Sequence, residues 1–231
     1  MNEFQQKVAR NLACLRARVH EACVRSNRRD DEVTIVVVTK YLTVEQTCDL
    51  VPIGCNAFGE SRPHVLCEKA LQLPAEVNWH LIGHLQRNKI RRVLPIVSLI
   101  HSVDSVRLIE SLEQIAQELK SSPAILLEVN VSGERSKDGF GPDGLESAFE
   151  ALSRCQHLTV QGLMCMGGLN SDVTQIRHEF SRLRSTRDHW QERSGIQLPH
   201  LSMGMSSDFE IAIEEGATLI RVGSVLYEGT T

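Results

Sequence analysis

The run Val33-Thr34-Ile35-Val36-Val37-Val38-Thr39-Lys40 decides how this chain reads. It is β-branched and almost free of polar interruption, the pattern of a parallel strand buried on both faces. The period changes immediately after it. Thr43-Val44-Glu45-Gln46 spells a capping box, with Thr43 as N-cap and Gln46 reaching back to it. Pro52 and Gly54 then close that helix. The same strand-then-helix unit keeps returning. Strands are expected at Asn56–Gly59, Trp79–Gly83, Ser98–His101, Ala124–Val131, Thr159–Met166, His200–Gly204 and Thr218–Gly223. Helical patterns lie between them, over 62–72, 86–93, 105–119, 142–155, 172–192 and 207–215. Alternating units of this kind imply a parallel sheet with right-handed crossovers.

Counted from Val33, there are eight strands within 33–224. Eight βα units in that length point to an α/β fold of the closed (β/α)8 TIM-barrel type. An open doubly wound sheet is the weaker alternative, because no Gly-x-Gly-x-x-Gly follows the first strand. Upstream, Phe4, Val8, Leu12, Leu15 and Val19 recur at spacings of three and four. Residues 1–27 therefore add an N-terminal helix outside the barrel count. No Pro/Ser-rich linker or composition break divides the sequence, so 1–231 reads as one domain.

Composition fits this and excludes other classes. Of 231 residues, 42% are hydrophobic and 23% charged, an ordinary globular balance. No apolar run approaches the ~20 residues of a membrane span, and the polar start Met1-Asn2-Glu3 carries no signal-peptide core. A net charge of −4 supplies no field toward nucleic acid or an anionic membrane. The seven cysteines are scattered, odd in number and without a Cys-x-x-Cys, which suits reduced thiols in the cytoplasm.

In such a barrel the chemistry sits at the C-terminal ends of the strands. The first strand delivers Lys40 there. A lysine held in the barrel mouth after a dry β-branched run is a candidate amine for a Schiff base with an aldehyde or ketone. The last strand, Leu219-Ile220-Arg221-Val222-Gly223-Ser224, embeds Arg221 in an apolar run, so that cation needs an acceptor. Its Gly223-Ser224 turn can expose backbone N–H groups. One strand earlier, Met205-Ser206-Ser207-Asp208 leads into a helix, with Ser207 and Glu210 expected as a second capping box. The loops after strands seven and eight are the usual phosphate site of this fold. An amine, an anion cradle and a buried arginine together suit pyridoxal 5′-phosphate: the aldehyde at Lys40, the phosphate at Ser206, Gly223 and Ser224, and the ring nitrogen at Arg221. Gly162-Leu163-Met164-Cys165-Met166-Gly167-Gly168 ends strand six, and Met164 or Met166 facing the mouth would pack on the ring. His80 and His84 lie on a strand-to-loop stretch and not on one helix face, so no metal site is expected. Arg87, Lys89, Arg91 and Arg92 read as a solvated helix face and not as a nucleic-acid contact.

The segments Val38-Thr39-Lys40, Phe58-Gly59-Glu60, Trp79-His80-Leu81-Ile82-Gly83-His84-Leu85-Gln86-Arg87-Asn88-Lys89, Ile100-His101-Ser102-Val103-Asp104-Ser105, Val129-Asn130-Val131, Leu201-Ser202-Met203-Gly204-Met205-Ser206 and Arg221-Val222-Gly223 follow one another in a specific order. In this the chain resembles the pyridoxal phosphate homeostasis proteins of the YggS/PROSC type. The resemblance implies a barrel related to the alanine racemase N-terminal domain, with the cofactor held as a Schiff base on Lys40. It also implies Arg221 near the pyridine nitrogen and Ser206, Gly223 and Ser224 at the phosphate, with Ser61 and His80 as further cofactor contacts. Ser61 stands where the family usually has a longer asparagine, and Tyr227-Glu228 replaces a usual Phe-Gly pair. The short sequence after Gly223 implies a short or absent last helix, whose gap the N-terminal helix would cover. The resemblance further implies a carrier or regulator without established catalysis, a monomer or weak homodimer, and apo pyridoxal-phosphate enzymes as acceptors. A racemase-like enzyme is the alternative, with Tyr41 beside Lys40 as its candidate acid–base group. The 231 residues leave no room for the second, β-rich domain that supplies a racemase tyrosine.

Overall fold

Strand alternation and helix capping build the barrel directly. The computed structural model describes residues 1–134, 138–141, 144–168 and 171–230. Helix α1 (Glu3–Arg25) opens on an Asn2/Gln5 capping box and buries Val8, Leu12, Leu15 and Val19. Then come β1 (Thr34–Val38), α2 (Val44–Cys48), β2 (Ala57–Glu60), α3 (Pro63–Ala70), β3 (Asn78–Leu81), α4 (Ile90–Val93), β4 (Val97–Val103) and α5 (Val106–Leu119). The second half supplies β5 (Ala124–Glu128), α6 (Gly144–Leu152), β6 (Thr159–Met164), α7 (Val173–Ser194), β7 (His200–Ser202), α8 (Phe209–Glu214), β8 (Leu219–Val222) and α9 (Ser224–Tyr227). The eight strands are all parallel and close in sequence order, β8 pairing back onto β1 with Val37 opposite Val222.

Local signals hold where they are purely local. Thr43 caps α2 through the expected reciprocal bonds with Gln46, and Gly54 ends the following turn at φ +88°. Several strands stop earlier than the apolar runs suggest. The run expected to extend to Val131 leaves the sheet after Glu128, because Val129 bridges to Phe140 instead. The segment expected as a helix over 86–93 splits into a short 3-10 turn, Arg87–Lys89, and α4. The helix expected over 142–155 is α6, with residues 142 and 143 outside the described residues. One prediction fails. Ser207 and Glu210 form no capping box: α8 starts after Asp208, whose carboxylate turns back to accept the Met205 N–H at 2.6 Å. Glu210 instead accepts from Arg18 of α1 at 2.7 Å, a charge pair that outcompetes a backbone cap.

Helix α1 covers the side left open by the four-residue α9. Asn11 donates to the carbonyls of Leu226 and Glu228, and Arg28 to those of Ile213 and Ala217. Inside the barrel, Val36, Leu99, Leu126, Met164 and Leu219 form a small apolar cluster separate from the large core between strands and helices. Two residues further along β4, β5 and β8, the interior turns polar at His101, Glu128 and Arg221. No helix among the described residues is long and apolar enough to cross a membrane. No disulfide joins any of the cysteines among the described residues.

Candidate functional site

The end of β1 is held by a buried ion pair. Glu60, fully buried at the end of β2, pairs with Lys69 of α3 at 2.9 Å, and Lys69 Nζ also donates to the Thr39 carbonyl at 2.6 Å. The other Glu60 oxygen accepts the N–H groups of Ser61 and Arg62. Arg62 in turn donates to the Lys40 carbonyl at 2.6 Å. The backbone on both sides of Lys40 is thus fixed, while its side chain is half-buried and its Nζ lies 4.9 Å from the Tyr41 ring centroid.

Across the β1–β8 seam, Ser206 Oγ accepts the N–H of Gly223 at 3.2 Å and that of Val225 at 3.5 Å. These donors converge where α9 begins, with exposed Ser224 between them. Gly223 packs closely on β1: a Cβ there would lie 3.3 Å from Val38 Cβ. The register that sets Val37 against Val222 also brings this turn alongside the strand that carries Lys40.

Arg221 is 5% exposed inside the barrel. Its partners are not a carboxylate but the Ser202 hydroxyl, 2.5 Å from Nη1, and the Cys165 carbonyl, 2.8 Å from Nη2. Burial pulls its pKa down, opposed by Cys165, Glu128 and Asp208. His80 does not pair with His84. Its Nδ1 lies 2.8 Å from His101 Nε2, and His101 Nδ1 lies 2.8 Å from Ser202 Oγ. Burial drives His80 down to about 4 and His101 well below its usual range. Glu128 moves the opposite way: burial, then the charges of Asp104 and Asp138, push it up to about 7.

The structure brings together Lys40, Ser206, Gly223 and Ser224 at the β1/β8 mouth, with Arg221 just below. Met164 belongs to the interior apolar cluster and pairs in register with Glu128 and Ser202, so it borders the polar layer from underneath. Ser61 lies one strand over, its backbone so close to Gly83 that a Cβ there would meet Ser61 O at 2.4 Å. His80 is buried in the same polar layer as Arg221. His84 pairs with Asp104 at 2.9 Å, and a carboxylate oxygen of Asp138 joins them within 4.8 Å. In the basic run, Arg91 pairs with Glu118. Sequence reasoning gave no role to Glu60, Lys69, His101 or Ser202. The argument applied to Arg221, that a polar group in an apolar run needs a partner, would have singled out His101 in Leu99-Ile100-His101.

A parallel barrel with a lysine after its first strand and an anion-type cradle at its last defines a class. The family model described as "Alanine racemase, N-terminal domain" matches residues 6–231. Within that class, the chain belongs to the pyridoxal phosphate homeostasis protein family. The protein of that name from Aquifex aeolicus is 36% identical over 211 residues, covering 91% of this chain and 92% of the relative. Among solved structures, PipY of Synechococcus elongatus with PLP bound superposes with a TM-score of 0.84 at 33% identity, covering 95% of this chain and 99% of PipY. Alanine racemase of Clostridium difficile shares the fold alone, with a TM-score of 0.74 at 11% identity over 96% of this chain and 56% of the racemase.

Proposed function

We propose that this protein binds pyridoxal 5′-phosphate at the β1/β8 mouth and serves intracellular homeostasis of that cofactor as a carrier or regulator, not as a catalyst. The observation that carries the reading is the convergence of the Gly223 and Val225 N–H groups on Ser206 Oγ, beside the strand that ends in Lys40. A hydroxyl that gathers two backbone donors stands where a phosphate oxygen would be received. The residues present therefore fit the group. Bound there, the cofactor supplies an aldehyde, a phosphate and a ring nitrogen. Lys40 Nζ offers the amine for the aldehyde, while Ser206, Gly223 and Ser224 hold the phosphate. Arg221 uses two of its five N–H donors on Ser202 and Cys165, leaving others for the ring nitrogen. Met164 supplies apolar surface beneath the ring, and Ser61 and His80 line the β2 and β3 side.

Arg221 favours a carrier over aminotransfer or decarboxylation chemistry. A guanidinium only donates, so it favours an unprotonated ring nitrogen, and such a ring is a weak electron sink. Seven cysteines without a disulfide suit the reducing cytoplasm, and apo forms of pyridoxal-phosphate enzymes are the acceptors this reading implies. The test is the absorbance spectrum of protein loaded with pyridoxal 5′-phosphate, before and after borohydride. A borohydride-reducible band is expected in the parent and lost in Lys40→Ala, with an unchanged circular dichroism spectrum because the side chain stands in the mouth. A reducible band that survives Lys40→Ala would overturn the assignment.

A further inference from the structure

A buried hydroxyl has one proton to give and must give it to an acceptor. Ser202 is fully buried at the end of β7. Its Oγ is contacted by Arg221 Nη1 at 2.5 Å and His101 Nδ1 at 2.8 Å. Arginine cannot accept, so its N–H occupies a Ser202 lone pair and the hydroxyl proton points to His101 Nδ1. A neutral imidazole that accepts at Nδ1 carries its proton on Nε2. His101 Nε2 lies 2.8 Å from His80 Nδ1, so it donates there, and His80 must likewise be protonated on Nε2. Every link points the same way because the chain starts at a group that can only donate.

The alternatives fail locally. A proton on His101 Nδ1 would leave the fully buried Ser202 hydroxyl without an acceptor among the described residues. It would also turn His101 Nε2 into an acceptor and force His80 to donate from Nδ1. An imidazolium in either ring would add charge beside Arg221 in the buried interior; burial, then the nearby His80, Arg221 and His200 charges, already hold His101 well below its usual range.

We propose that Ser202, His101 and His80 are positioning residues for Arg221: a one-way hydrogen-bond relay, Arg221 to Ser202 to His101 to His80, that fixes the guanidinium plane and sets both histidines as Nε2–H tautomers. The Cys165 carbonyl anchors the second arm of the guanidinium at 2.8 Å, so the plane is held at both η nitrogens. Only the consequence for the cofactor ring rests on the proposed function. The relay itself is a property of the protein alone.

Nitrogen-15 NMR of histidine-labelled protein without cofactor, at neutral pH, reads the tautomers. His101→Gln and His80→Gln assign the signals. Both rings are expected to show a bare Nδ1 and a protonated Nε2. An Nδ1-protonated or charged ring at either position would overturn the relay. Ser202→Ala removes the acceptor of Arg221 and the donor to His101 together. His101 should then lose its single tautomer, and the Arg221 η N–H signals should broaden or merge as the guanidinium loses an anchor. His101 and Arg221 signals unchanged by Ser202→Ala would also overturn the proposal. Should that variant fail to fold, the parent tautomers still decide. These measurements need no cofactor, so they can fail while the borohydride test succeeds, and the reverse.

Discussion

Glu128 shows how one side chain sets the pH response of the barrel. It ends β5 and is only 5% exposed, and burial with the Asp104 and Asp138 charges raises it to about 7, against Arg221 and His84. An unfolded glutamate titrates near ~4.3. Between those two values the folded protein binds a proton that the unfolded chain has released, so stability falls as pH rises through this window. At ~1.4 kcal/mol per unit, the loss is on the order of 4 kcal/mol once pH exceeds about 7. Buried His80, lowered to about 4, acts on the other side: its contribution is complete above the unfolded value of ~6.5 and is lost as pH falls toward about 4. Glu128→Gln should therefore gain more in urea denaturation at pH ~8 than at pH ~5, with the histidine effect common to both proteins. An equal change at the two pH values would contradict the raised carboxyl. At this scale the sequence exposes residues that break a pattern. Lys40 and Arg221 interrupt apolar runs, and Ser206 precedes a helix, so each was legible. Glu60, Lys69, His101 and Ser202 depend on partners from other strands or helices, and no local pattern records which partner that is.

The elements that frame the mouth are short, and their work is done by backbone. Thr43 and Gln46 cap α2 as their spacing dictates, and Asp172 and Gln175 do the same for α7. Ser207 and Glu210 have the same spacing and fail, because Arg18 of α1 lies 2.7 Å from Glu210 and takes it. A capping box is legible when its residues face only their own helix, and illegible when another element competes. The turn from β8 into α9 tests the cradle itself. Ser206→Asp places a carboxylate where the Gly223 and Val225 N–H groups converge, and Gly223→Val puts a branched side chain against Val38, already 3.3 Å from where a Cβ would stand. Both substitutions should weaken pyridoxal 5′-phosphate binding much more than pyridoxal binding, because only the former carries the phosphate. Fluorescence or absorbance titrations with the two ligands compare the losses. Equal losses would move the anion site away from this turn.

At the scale of the molecule, the barrel was legible because its evidence repeats: eight apolar runs, each followed by helical spacing, have few other parallel arrangements. The role of α1 was legible only in part. Its stripe marks a packed helix, but its seat across α8 and α9 depends on bonds such as Asn11 to the Leu226 carbonyl, which join residues 215 positions apart. The same barrel serves racemases, so the choice between carrying a cofactor and using it rests on what surrounds the mouth. Moving a proton on and off both faces of an α-carbon requires two acid–base groups on opposite sides. Lys40 can be one. The chain has two tyrosines that could furnish the other. Tyr41 is 85% exposed, with its ring turned to solvent beside Lys40. Tyr227 donates its hydroxyl to the Val38 carbonyl at 3.0 Å, and burial pushes its pKa up, so it holds its proton. An arginine at the ring nitrogen would weaken aminotransfer and decarboxylation but is tolerated by racemases, so the second acid–base group decides here. Protein loaded with pyridoxal 5′-phosphate should leave D- and L-alanine essentially unconverted in a chiral assay. Racemisation on the order of 1 per second or faster, the range of ordinary enzymes, would show that another group in the mouth supplies the second proton and would replace the carrier reading with a racemase.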